Sequence, residues 1–150
     1  MILGYEVAAS SLAPVAAAAY VNLWSPTRPL MVREVFVSQT TTTALPQLQL
    51  IRTTARGTQT TTVTPTAAAN AQNPNQINPT AVVDTAWSVQ PTFAAVPMRM
   101  EDVAGVVGSF SLWTWSQDGE IWVGNGNGLA LLNNSGGTTG VIRVYFVFGE

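Results

Sequence analysis

The sequence predicts an all-β protein: an antiparallel sandwich or barrel, with a β-sandwich of jelly-roll type and about 8–10 strands as the expected form. Three observations carry this. Nearly every periodic segment has strand length, β-branched or aromatic residues, and Gly, Pro or Asn at its ends. No segment combines an apolar helical stripe with capping residues. No repeat recurs at a fixed period, which disfavours propellers and solenoids. With 150 residues the chain reads as one domain, 1–150, able to bury roughly 70% of its unfolded surface without disulfides.

Tyr5–Ser10 and Tyr20–Trp24 are the first two strand candidates, separated by Pro14. Ala16–Ala19 could form a helical turn, but four alanines with no cap make a weak helix. Pro26 and Pro29 end this region, and 1–29 reads as an N-terminal anchoring segment. Leu30–Gln39 has apolar residues at both parities, so it is either covered on both faces or bulged. The Thr40–Thr43 run breaks it.

Leu45–Thr53 alternates Leu48 and Leu50 with Gln47 and Gln49, one face core and one face wet. Ala55-Arg56-Gly57 reads as a turn before Thr58–Thr64, whose hydroxyls can bond across strands. Residues 65–80 form a long loop, too poor in apolar residues to pack and too rich in Pro and Asn to form a ladder. Ala81–Ser88 and Thr92–Met100 resume strand character, with Pro97 demoting the second to an edge. Glu101–Val107 reads as a short connector.

The segment from Ser109 to Asn133 carries Trp113, Trp115 and Trp122. Asp118-Gly119 is a two-residue hairpin signal, because a type I′ turn needs positive φ at both positions. Pairing Ser109–Gln117 with Glu120–Gly124 would set Trp115 opposite Trp122 and put the three tryptophans on one face. Gly124–Gly128 bends the chain into a short strand at Leu129–Leu132. Gly140–Gly149 closes the chain, with Ile142, Val144, Phe146 and Phe148 on one face, and belongs inside a sheet.

The composition excludes much chemistry. The chain has no His, Cys or Lys, so it offers no Ser-His-Asp triad, thiol nucleophile, His-ligated metal or Schiff base. No enzyme and no cofactor are expected. Paired carboxylates remain at Glu101-Asp102 and at Asp118/Glu120; the latter sit beside a turn, where solvation is the default, and fall far short of a calcium loop. Gly124-Asn125-Gly126-Asn127-Gly128 lies between strands and reads as a turn, not a phosphate loop. Asn133-Asn134-Ser135 is a formal glycosylation sequon.

A net charge of −2 with scattered arginines disfavours nucleic acid. No apolar run reaches the ~18 residues of a membrane span, and the N-terminal stretch lacks a positive region before its apolar one. Charged residues are 9% of the chain, against about 25% in ordinary domains, while Thr supplies 19 residues. Such a surface desolvates at low cost against neighbours, which suits a subunit of an assembly. Trp113, Trp115 and Trp122, with Gln117, Asn125 and Asn127 at their rim, are candidates for an interface or a glycan-stacking platform.

Three stretches in order carry a family resemblance: LMVREVFVSQTTTTALPQLQLIRTTARGTQTTTVTP, VVDTAWSVQPT, and WTWSQDGEIWVGNGNGLALLNN with the closing GVIRVYFVFGE. From about Leu30 to Glu150 the chain resembles small jelly-roll head decoration, or cement, proteins of tailed bacteriophages. The resemblance implies a virion protein made in the host cytoplasm. It would sit on the capsid exterior, often as a homotrimer, clamping major capsid proteins. It supplies no set of functional residues. A carbohydrate- or receptor-binding module of a tail or head fibre is the alternative, and a glycosidase using Asp118 and Glu120 the third reading.

Overall fold

A computed structural model describes residues 3–41 and 47–150. The strands are β1 (Gly4–Ser10), β2 (Ala19–Ser25), β3 (Leu30–Gln39), β4 (Gln47–Ala55), β5 (Thr58–Val63) and β6 (Val82–Val89). They continue with β7 (Thr92–Phe93), β8 (Arg99–Asp102), β9 (Phe110–Thr114), β10 (Ile121–Val123), β11 (Asn127–Asn133) and β12 (Ile142–Gly149). One helical turn, α1 (Ala67–Asn70), lies between β5 and β6. The fold is an all-β sandwich of two antiparallel sheets. The first runs β1-β12-β3-β10 with β9 also on β3; the second runs β5-β6-β2-β11-β4-β7 with β8 also on β4.

The core between the sheets follows from the alternation of the strands. Ile142, Val144, Phe146 and Phe148 of β12 are buried, as are Val7 of β1 and Val35 and Val37 of β3; they meet Leu48, Leu50, Leu129 and Leu131 from the second sheet. Tyr5 stacks on Phe148 with ring centroids 5.5 Å apart. β12 is a central strand between β1 and β3, as its apolar character requires. Apolar residues at both parities of β3 reflect a bulge: opposite Val147 and Phe148 the register steps from Glu34 to Val32, leaving Arg33 as the extra residue.

The structure corrects some of these expectations and places others. Ala16–Ala19 is not a helical turn; Ala17 sits at φ 57° and the chain enters β2 at Ala19. The described part of 1–29 is built into both sheets, β1 on β12 and β2 on β11. The segment Thr92–Met100 is interrupted, and Glu101 and Asp102 belong to strand β8 rather than to a connector. The Thr40–Thr43 break and the expected strand start at Leu45 fall partly on 42–46, outside the described residues. The 65–80 loop folds back on β1: Gln72 N–H donates to Gly4 O at 3.1 Å and Asn70 Nδ2 to Glu6 O at 2.9 Å. It returns by way of Glu150, whose carboxylate accepts from Thr80 N and Ala81 N (2.9 and 2.7 Å) and from Thr80 Oγ1.

The second sheet is curled. β4 and β5 are separated only by Arg56 and Gly57, so Ala55 and Thr58 lie within about 11 Å of one another. In a flat sheet, four strand spacings would hold β4 and β5 about 19 Å apart. The two are instead one bent strand, and β6, β7 and β8 run back along it, from Val83 opposite Val63 to Asp102 opposite Gln47. Gly57 marks the bend at φ 75°, where a Cβ would lie 2.3 Å from Val89 O. On the concave side Thr53 Oγ1 donates to Asn22 Oδ1 at 3.0 Å across β11, which carries Gly128 at that point.

Candidate interaction surface

The Asp118-Gly119 turn does not make a hairpin. β9 and β10 both run antiparallel to β3: Phe110–Thr114 lie opposite Ser38 to Glu34, and Ile121–Val123 opposite Val32 to Leu30. They are two parts of one edge strand, with residues 116–120 bulging out between them. Gly119 N–H donates to Ser116 O at 2.9 Å inside that excursion. Trp115 N–H keeps contact with β3 by donating to Arg33 O at 2.9 Å. The ten residues of β3 offer a longer ladder than the two short arms offer each other. The extra residue Arg33 also gains a partner, its Nε donating to Glu120 Oε1 at 2.8 Å.

This excursion resets the parity of everything beyond it. Trp113 and Trp115 pack inward on the core beside Ile121 and Val123, whereas Trp122 points out and is 58% exposed. The three tryptophans therefore share no face, and the stacking platform expected of them is not built. Of the proposed rim, Gln117 and Asn125 are exposed, Gln117 in the excursion and Asn125 in the bend before β11. Asn127 begins β11, and its Nδ2 donates to Asn125 O at 3.2 Å.

Two of the four paired carboxylates, Glu120 and Glu101, have structural partners. Glu120 is held by Arg33, and its side chain is 6% exposed. Glu101 Oε2 accepts from Ser111 Oγ at 2.5 Å, tying β8 of one sheet to β9 of the other. Among the described residues no group of three His, Cys, Asp or Glu is placed to hold a metal. Asn133 of the sequon is fully buried, its Nδ2 donating to Pro14, Val15 and Gly137 carbonyls, so it is inaccessible to glycosylation.

What the structure does assemble is an apolar flank. Of twelve exposed large apolar side chains among the described residues, eight lie between positions 96 and 122. Both sheets have interrupted edges here, β7 and β8 along β4, β9 and β10 along β3. The two edges are joined by the Ser111–Glu101 bond and by Arg52 Nη1 donating to Trp122 O at 2.5 Å. Beside the second sheet the flank shows Val96 and Met98, between β7 and β8, and Met100 of β8; on the first sheet it shows Phe110, Leu112 and Trp122. Val106 and Val107, between β8 and β9, supply the rest.

The first sheet extends this surface inward as an aromatic row. Phe36 lies between Phe110 and Tyr145, with centroid separations of 5.8 and 5.0 Å and near-parallel rings. The Tyr145 hydroxyl bonds the Glu34 carboxylate; that bond, then burial, then the negative charge of Glu34 and Glu6 push its pKa up to about 12. Beside it a groove of about 650 Å³ runs between β1, β12 and the α1 segment, with Glu6, Glu34 and Tyr145 among its walls. This row could have been found by placing Tyr145 and Phe36, each on the polar-facing parity of its strand, in adjacent strands.

Compared with models of known families, with curated proteins and with solved structures, the chain matches none.

Proposed function

We propose that this chain is a virion structural protein, a decoration or cement subunit that binds the outside of a capsid shell through the outer face of β9 and β10. The observation that carries the reading is the flank: an exposed cluster of Phe110, Leu112 and Trp122 on a chain with 9% charged residues. Exposed large apolar side chains concentrated along one edge support a protein-binding face, and aromatic anchors are what such faces use for affinity.

The strand order supports the same reading. β1, β12, β3 and the broken β9/β10 strand face β2, β11, β4 and the broken β7/β8 strand. We read that order as a jelly roll with β5 and β6 as an insertion, an architecture common in viral capsid domains. The partner is the major capsid protein. The glycan-platform alternative loses support because Trp113 and Trp115 turn inward.

The test is co-sedimentation with undecorated shells of the virus that encodes the chain. Saturable binding is expected, weakened at least tenfold by Leu112→Asp or Trp122→Asp. Wild-type protein that stays in the supernatant would overturn the proposal.

A further inference from the structure

We infer that β8 is where two copies of this chain pair, edge to edge and antiparallel, about a two-fold axis at Met100. The inference rests on the flank above being an interface, and does not depend on a shell being its other partner.

Among the described residues β8 is bonded on one side only, to β4. The other unpaired edges of at least four residues are less suited to strand addition. β1 is covered near Gly4 and Glu6 by Asn70 and Gln72. β5 carries three register irregularities within six residues, which twist an edge away from partners. β9 has no charged residue to set a register. In β8 no proline or lysine stands guard, and Pro97 lies just outside it.

The order of charges along β8 selects both partner and register. Arg99 and Glu101 lie on one face of the strand, opposite Leu50 and Leu48, while Met100 points the other way and is 64% exposed. When two identical strands pair antiparallel about an axis normal to the sheet, facing residues must have the same parity, so the axis passes through a residue. Centring on Arg99 sets arginine against arginine, and centring on Glu101 sets glutamate against glutamate; both oppose like charges. Centring on Met100 sets Arg99 of each copy against Glu101 of the other, twice, around a Met–Met contact. This is the self-complementarity an isologous interface requires.

The side chains are free to do this. Arg99 has no ion-pair partner among the described residues, whereas Arg28, Arg33 and Arg56 each hold a carboxylate. Ser111 engages one oxygen of Glu101 and leaves the other for the facing arginine. Val96 and Met98, exposed beside β8, add apolar area to the contact. Two copies, rather than the three implied by the family resemblance, are the unit that this edge builds.

The chain has no cysteine, so one introduced thiol reports the axis. In an antiparallel pair facing Cα atoms lie about 4.5–5.5 Å apart, within disulfide reach. Met100→Cys under mild oxidation is expected to form a disulfide-linked dimer at least tenfold faster than Ser88→Cys, an exposed control on β6. Adding Arg99→Glu should slow that cross-link at least tenfold, and Arg99→Lys should preserve it. Light scattering of unaltered protein should give the mass of two copies. A constant mass of one or three copies, or cross-linking no faster than the Ser88→Cys control, would overturn the inference. Shell binding that persists through such a failure would leave the proposed function standing, and the reverse result would leave the edge pairing standing.

Discussion

Arg56 holds Asp84 with two hydrogen bonds, Nε to Oδ2 and Nη2 to Oδ1, both 2.8 Å, from the bend that joins β4 to β5. Asp84 is fully buried in β6 and also accepts from Thr62 Oγ1 at 2.6 Å. The contact pushes the Arg56 pKa further up, chiefly through the hydrogen bond, so the cation persists at any working pH. The pair pins the curl of the second sheet at the point where it turns back on β2.

Arg56→Ala should therefore cost about 3 kcal/mol of stability, because it strands a buried carboxylate. Urea unfolding would read this as a lower midpoint at unchanged slope. The double variant Arg56→Ala with Asp84→Ala should recover part of the loss, since the buried charge is gone.

Gly128→Ala should destabilise by about 1–3 kcal/mol through overpacking. A Cβ there would meet Asn22 Oδ1 and Thr53 Oγ1 at 2.5 Å, and Leu23 O at 2.9 Å. Thr53→Ala removes one of these atoms, so a double-mutant cycle measured by thermal unfolding should show positive coupling.

Glu150→Ala should release the 65–80 segment from its return point at Thr80 and Ala81. Charge-assisted hydrogen bonds of this kind are worth about 1.5–3 kcal/mol each to the group left behind. Limited proteolysis is the direct readout: cleavage between Pro65 and Pro79 should rise well before global unfolding.

All three tyrosines, Tyr5, Tyr20 and Tyr145, have pKa values raised above 10.0, Tyr5 and Tyr20 chiefly by burial. A raised folded-state value means that folding favours the neutral phenol. The stability this contributes is complete below pH 10 and is lost as pH rises; for Tyr145 the loss runs from 10 to about 12. Ultraviolet titration of the folded protein should show little phenolate until well above pH 10. Glu34→Gln should bring one tyrosine back toward 10, because the Glu34 bond is the largest cause for Tyr145.

Where local pattern governed the outcome, the sequence was legible. The alternation of β12 placed Ile142, Val144, Phe146 and Phe148 in the core, and the mixed parity of β3 left a doubly covered strand or a bulge open, of which the structure has the bulge at Arg33. The failure at Asp118-Gly119 has a physical cause. The turn residues do form a turn, but its arms compete between each other and the long edge of β3, and that choice depends on a strand about 80 residues away. The inward rotation of Trp113 and Trp115 follows from the same choice. Contacts such as Tyr5 Oη to Ile77 O, 72 residues apart at 2.7 Å, leave no periodic trace. The edge charges of β8 were visible in sequence as Arg-Met-Glu-Asp, but their meaning required knowing that among the described residues nothing pairs beyond them.

The bend at Gly57 sets the valence of the molecule for strand addition. By carrying β4 round into β5, it turns one long ribbon into a closed curve and leaves its far margin kinked in three places. The covered β1 margin removes another opening. A chain with two good open margins would add copies without limit and grow into fibres. With β8 as the margin whose charges fix a register, this one saturates after a single partner, and its sparsely charged, threonine-rich surface can be tolerated at high local concentration.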